Sequence, residues 1–116
     1  MGTLTILLRS GTMTNQDPDV TYGLAKAAID KGHKVNLFLY DEGITTVIKG
    51  QDPKGFPVAG EQMKELIKLG ANVACCKTCA IARGIPEDLF VEGAKMDSIS
   101  YALCDYFKES DRLITF

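Results

Sequence analysis

Histidine is almost absent from this chain of 116 residues, and His33 is the only one. An imidazole is the usual base beside a nucleophilic cysteine and a common metal ligand. His33 follows Lys31 and Gly32, in what we expect to be the turn between a helix and the second strand. That turn lies at the opposite end of the predicted sheet from the cysteines, which argues against a cysteine–histidine dyad.

The chain also lacks an excess of basic residues, with a net charge of −2 and an isoelectric point near 5.3. A nucleic-acid-binding domain is expected to carry a basic face, so we expect no direct contact with nucleic acid. No apolar run approaches the roughly 18–20 residues of a membrane span, and no charged segment precedes the first apolar run as in a secretory signal. We therefore expect a cytoplasmic protein without a membrane partner.

Composition is that of a globular protein, with 46% hydrophobic and 24% charged residues. No repeat, low-complexity tract or linker divides the chain, so residues 1–116 are expected to form one domain. The four cysteines, without an export signal, favour thiol chemistry in a reducing compartment over a disulfide framework.

The first half of the chain alternates strand and helix signals. Apolar runs at residues 3–8 and 35–40 predict two buried strands. Between them, Asp17 is predicted as the N-cap of a helix that begins with Pro18 and has Val20 on its apolar face. A strand, a helix and a strand with short joints indicate a parallel βαβ unit.

The second half continues the alternation. A helix is predicted around Met63, then a strand at residues 73–76, and then a helix capped by Asp97 or Ser98. Residues 113–116 are predicted as a last buried strand. The whole pattern predicts a three-layer α/β/α sandwich around a mostly parallel sheet of about five strands. Ligands bind at the carboxyl edge of such sheets, where residues 10–16, the region after Tyr40 and the cysteine turn should meet.

Residues 73–84 hold three of the four cysteines and read as a strand that runs into a short helix. Cys76 is predicted at the strand's carboxyl end, just before the helix N-terminus. Unpaired amides and the helix dipole favour an anion there, and for cysteine that anion is the nucleophilic thiolate. Lys77, Thr78 and Arg83 are candidates to stabilise the anion.

Cys76 and Cys79 form a Cys-x-x-Cys motif that allows three functional interpretations. Cys76 could carry a sulfane sulfur as a persulfide and pass it to another thiol. The two cysteines could instead cycle between dithiol and disulfide. Third, they could bind a metal with Cys75 and Cys104, but metal sites usually draw on two spaced pairs or on histidines.

Metal binding is the weakest of these interpretations, because Cys75 and Cys76 should point to opposite sides of a strand. We expect neither a metal nor another cofactor. Cys75 and Cys104 are predicted to be small buried hydrophobic residues.

Several segments, taken in order, resemble the DsrE/DsrF-like sulfurtransferases, which include the TusD subunit of the tRNA-thiolation sulfur relay. The resemblance covers nearly the whole length of the chain. The matching segments are residues 22–28, 32–35, 38–43, 76–84 and 110–116. Cys76 lies eight residues before Gly84, as the family's sulfur-carrying cysteine does, and Cys79 matches a second cysteine found in one branch.

The resemblance implies an α/β sandwich that assembles into homotrimers or homohexamers and shuttles sulfur as a cysteine persulfide. It implies Cys76 as the sulfur carrier, with Cys79 as an auxiliary or resolving thiol, and sulfur donor and acceptor proteins as partners. Two alternatives to a sulfurtransferase stay open at this point. One is a non-catalytic oligomeric assembly or regulatory module, and the other is a dithiol redox protein.

Overall fold

The computed structural model describes all of residues 1–116 and contains one sheet of five parallel strands. The strands are β1 (Thr3–Leu8), β2 (Lys34–Leu39), β3 (Asn72–Cys76), β4 (Lys95–Asp97) and β5 (Arg112–Thr115). Their spatial order is β4-β3-β2-β1-β5, and every neighbouring pair is parallel. The predicted α/β fold with a parallel sheet of about five strands is confirmed.

Helices cover both faces of the sheet. The α-helices are α1 (Asp17–Asp30), α2 (Ala59–Lys68), α3 (Lys77–Ala82) and α4 (Cys104–Glu109). Two 3-10 helices span Asp41–Val47 and Glu87–Leu89, and a π-helical turn at Ile99–Leu103 leads into α4. None of these helices is long and apolar enough to cross a bilayer.

The apolar core lies between the sheet and the pair α1 and α2, which contact each other through the Tyr22 hydroxyl and the Glu65 carboxylate, 2.7 Å apart. Alternate residues of each strand point to this side, because side chains alternate across a strand. The fully buried members of this face and its helices are Ile6, Leu8, Val35, Leu37, Leu39, Met63 and Leu66.

The opposite face of the sheet carries a polar row under α4. Thr5, Asn36 and Asn72 are neighbours in register on β1, β2 and β3. The Asn36 amide nitrogen donates to the Glu109 carboxylate at 2.6 Å, and its oxygen accepts from Asn72 at 2.8 Å. Because buried polar groups must be hydrogen-bonded, this row fixes how α4 lies across the sheet.

Three local predictions were wrong. Asp17 is the first residue of α1 rather than its N-cap, and its carboxylate accepts a hydrogen bond from Ser10 at 2.7 Å. Val20 is exposed, because the buried face of α1 consists of Pro18, Thr21 and Ala25 instead. The last strand is not buried: Leu113 is 47% exposed, because β5 pairs only with β1 at the sheet edge.

Gly43 holds the Asp41–Val47 helix against the end of β1. A Cβ atom built at this position would lie 2.1 Å from the Leu8 carbonyl oxygen, so only glycine fits the present backbone. This close approach fixes the position of the preceding residues Asp41 and Glu42, which approach the cysteines.

We predict that Gly43→Ala lowers the free energy of unfolding by about 1–3 kcal/mol, the usual cost of overpacking a filled site. The matched control is Gly23→Ala, an exposed mid-helix position of α1 with no atom near the added methyl group. This control should raise the stability by roughly 0.5–1 kcal/mol, because alanine loses less backbone entropy than glycine. Urea denaturation of wild type and the two variants measures both changes in the free energy of unfolding. A Gly43→Ala protein as stable as wild type would contradict the packing argument.

Candidate functional site

Cys76 lies where the sequence predicts it, as the last residue of β3 and the N-cap of α3. Its sulfur accepts a hydrogen bond from the backbone N–H of Cys79 at 3.4 Å. The residue is only 3% exposed, so access to the sulfur is narrow. An N–H directed at sulfur stabilises a thiolate or any other anionic form of the side chain more than the neutral thiol.

The helix that follows is too short for its dipole to dominate, since α3 has only six residues. The macrodipole comes from aligned peptide units, and its effect is confined to the terminal turn. The discrete hydrogen bond from the Cys79 amide is therefore the polar contact that the structure gives the Cys76 sulfur.

Cys79 lies partly exposed beside Cys76, and its sulfur accepts a hydrogen bond from the Asp41 backbone N–H at 3.3 Å. Burial raises the pKa of the Cys79 thiol above its ordinary value, and hydrogen bonding with Cys76 adds to the rise. The Asp41 amide acts in the opposite direction and lowers this pKa. The structure thus gives each sulfur of the motif one backbone donor.

Arg83 is engaged in other contacts and binds neither sulfur. Its guanidinium pairs with the Glu42 carboxylate at 2.6 Å and donates to the Cys79 carbonyl oxygen at 3.0 Å. The hydrogen bond to Glu42 is the main reason that the pKa of Arg83 is raised. Arg83 therefore ties the end of α3 to the 3-10 helix after β2, and adds positive charge to the neighbourhood of Cys79.

A cavity of about 280 Å³ opens at the two sulfurs. Its lining consists of Tyr40, Cys76, Thr78, Cys79, Ser98, Ile99 and Ser100. Thr78 thus faces the site, whereas Lys77 is exposed and does not line the cavity. A larger cavity of about 460 Å³ lies elsewhere and contains no cysteine.

The other two cysteines differ from each other. Cys75 is fully buried, as predicted, and burial raises the pKa of its thiol to about 12. Cys104 is exposed, so its predicted burial was wrong. It occupies the first position of α4, directly after the π-helical turn whose Ala102 and Leu103 are buried in the core.

Sequence reasoning missed Asp41 and Glu42, although it placed the region after Tyr40 at the same sheet edge. Asp41 has a φ of +53°, an uncommon conformation for a residue other than glycine. Nothing in a single Asp-Glu-Gly turn indicates that its amide will point at a sulfur 38 positions later. His33 lies at the opposite end of β2, as predicted, where its Nδ1 accepts from the Gly2 N–H at 3.1 Å.

Alkylation of the folded protein at neutral pH is expected to modify Cys104 faster than Cys75, which should react last. Cys104 is exposed, while Cys75 is inaccessible and its pKa of about 12 keeps the thiol protonated. Peptide mapping after timed treatment with iodoacetamide measures the order, and the urea-unfolded chain, in which all sites are accessible, is the control. Equal rates at Cys75 and Cys104 in the folded protein would contradict this structure.

Comparison with known proteins places this chain in a family. The family model described as "DsrE/DsrF-like family" matches residues 3–116. An uncharacterized protein of Methanocaldococcus jannaschii, MJ0989, is 39% identical over 92 residues, which are 79% of this chain and 80% of that protein. The uncharacterized protein MK0008 of Methanopyrus kandleri is 36% identical over 92 residues, covering 79% and 75% of the two chains.

Solved structures show the same fold. The crystal structure of the YchN protein from Escherichia coli superimposes with a TM-score of 0.92 at 22% identity, over 100% of both chains. A protein of unknown function from Methanobacterium thermoautotrophicum, MTH1491, gives a TM-score of 0.79 at 10% identity, over 98% of this chain and 99% of that chain. The resemblance first noted in the sequence is confirmed, and the chain belongs to the DsrE/DsrF-like family.

Proposed function

We propose that this protein is a sulfurtransferase or sulfur carrier that holds a sulfane sulfur as a persulfide on Cys76. A thiolate at Cys76 attacks the donor's sulfane sulfur, and the donor leaves with the electron pair of the broken bond. An acceptor thiolate then attacks the outer sulfur and leaves Cys76 as a thiolate again. The single observation that carries the proposal is the Cys79 N–H directed at the Cys76 sulfur.

The cavity at the sulfurs supports this proposal. A persulfide extends the Cys76 side chain by one sulfur atom, and the adjacent space of about 280 Å³ is ample for it. Thr78 and Ser98 line this space and offer hydroxyl groups to an anionic outer sulfur. The low exposure of Cys76, 3%, also suits a persulfide, because restricted access protects a reactive sulfur from side reactions with other thiols.

The proposal predicts that sulfur loads on Cys76 alone when Cys79 and Cys104 are replaced. The Cys79→Ser/Cys104→Ser protein, treated with inorganic polysulfide and desalted, should gain the mass of one sulfur atom. Removing Cys104 is necessary because an exposed thiol takes up sulfur without a dedicated site.

The matched control adds Cys76→Ser to the same protein and leaves only Cys75, which should gain nothing. Intact-mass spectrometry before and after a reducing thiol checks that the added mass is sulfane sulfur. The reducing thiol should remove the added sulfur, so the protein should return to its original mass. No added sulfur on the first variant, or as much on the control, would overturn the proposal.

A dithiol–disulfide function is the second candidate, because Cys76 and Cys79 form a Cys-x-x-Cys motif and line the same cavity. A redox protein of this kind exchanges electrons and never holds sulfane sulfur. Sulfur loading on Cys76, measured as above, separates the two candidates.

We further propose that copies of the chain assemble into a homotrimer or homohexamer that meets separate sulfur donor and acceptor proteins. The support is a group of exposed apolar side chains on the α4 side of the molecule: Ile99, Tyr101, Phe107 and Leu113. Tyr101 is 74% exposed, and exposed large apolar side chains on one side of a molecule favour an interaction surface there.

Assembly predicts a solution mass of three or six times the 12.6 kDa monomer. Tyr101→Glu should shift the protein towards the monomer, because it places a charge in an apolar interface. Lys68→Glu, on the opposite face in α2, is the control and should leave the mass unchanged. Light scattering coupled to size-exclusion chromatography measures all three proteins, and a monomeric wild type would contradict the proposal.

A further inference from the structure

The sulfur of Cys79, like that of Cys76, accepts a hydrogen bond from the backbone. The Cys79 sulfur accepts the Asp41 N–H at 3.3 Å, and the Cys79 amide in turn donates to the Cys76 sulfur at 3.4 Å. A cysteine that merely filled space next to the carrier would not require its own amide donor from a different segment of the chain.

Asp41 adopts a costly conformation to supply that donor. Its φ of +53° lies in the left-handed region, where a residue other than glycine loses on the order of 1 kcal/mol or more. The Arg9 guanidinium binds the Asp41 carboxylate at 2.9 Å, and the contact of Gly43 with Leu8 fixes the following turn. Two independent contacts therefore hold the Asp41 amide in place.

Resting on the function proposed above, we propose that Cys79 attacks the Cys76 persulfide, releases hydrosulfide, and leaves a Cys76–Cys79 disulfide. The protein would then have a second activity, the reduction of sulfane sulfur to sulfide, besides the transfer of sulfur to an acceptor. Asp41 is the positioning residue of this step, because its amide directs and stabilises the attacking sulfur.

The step balances without any further oxidant. The Cys79 thiolate attacks the inner sulfur of the persulfide, which is Sγ of Cys76, and forms the new Sγ–Sγ bond. The bond between Sγ and the outer sulfur breaks, and the outer sulfur leaves with its proton and the electron pair. The two cysteine sulfurs are oxidised to a disulfide, and the sulfane sulfur is reduced to sulfide.

Cys79 and Cys76 share one site, so attack on the inner sulfur competes with transfer of the outer sulfur to Cys79. The Cys79 amide lies 3.4 Å from the Cys76 sulfur, and both cysteines line the same cavity. To restore the starting state, a dithiol reductant must open the disulfide by thiol–disulfide exchange.

The experiment compares the intact Cys76–Cys79 pair with Cys79→Ser, both in the Cys104→Ser background. Reduced protein is treated with one equivalent of inorganic polysulfide, desalted, and kept without any added thiol. The intact pair should release about one equivalent of hydrosulfide, trapped with a bimane reagent, and lose the mass of two hydrogen atoms. The Cys79→Ser protein should keep the added sulfur and release none.

Two charge-matched variants test the role of Asp41. Both Asp41→Asn and Asp41→Ala remove the carboxylate, but asparagine tolerates the left-handed backbone and alanine does not. Asp41→Asn should release hydrosulfide with a pH profile shifted to lower pH, because the Asp41 carboxylate raises the pKa of Cys79. Asp41→Ala should release it several-fold more slowly than Asp41→Asn at the same pH.

The outcomes separate this inference from the proposed function. Failure of the Cys79→Ser protein to load sulfur would refute the proposed function itself. If the intact pair and the Cys79→Ser protein both load sulfur and keep the persulfide equally long, the release of hydrosulfide by Cys79 would be overturned, while the proposed function would stand. Added sulfur mapped to Cys79 in the intact pair would show transfer of the outer sulfur and would also overturn it. Equal rates for the two Asp41 variants would remove Asp41 from the mechanism.

Discussion

The hydrogen bond from the Cys79 amide to the Cys76 sulfur is the contact on which the site depends. It exists because β3 ends at Cys76 and α3 begins with the next residue, so that the free amide of the first helical turn points back at the side chain of the N-cap. The parallel sheet supplies the rest. Its carboxyl edge brings the turn after β2 to the same place, and with it the Asp41 amide that faces Cys79.

The site is held by backbone groups and ion pairs. No three side chains of the types that ligate metals come together in the structure. Arg83 and Arg9 each neutralise a carboxylate of the turn after β2, at Glu42 and Asp41 respectively. Both pairs are partly exposed, so each contributes little to stability. The Arg83 pair joins that turn to the end of α3, and the Arg9 pair joins it to the end of β1.

Much of this could be predicted from the sequence. The alternation of apolar runs with helix signals gave the parallel sheet, and the strand-to-helix transition at residues 72–82 located Cys76 correctly. Errors arose where tertiary context outweighs local pattern. Cys104 follows apolar neighbours yet points outward, and β5 is apolar yet lies at an edge. The Asp41 contact could not be predicted, because neither a positive φ nor a long-range hydrogen bond from an amide to a sulfur produces a recognisable sequence pattern.

The most direct test of a sulfur carried at Cys76 is a crystal structure of the Cys79→Ser/Cys104→Ser protein after loading with polysulfide. One additional sulfur atom should be bonded to Cys76, inside the cavity lined by Thr78 and Ser98, with the Cys76 Sγ still accepting the N–H of residue 79. An unmodified Cys76, or added sulfur on Cys75 only, would contradict the proposed function.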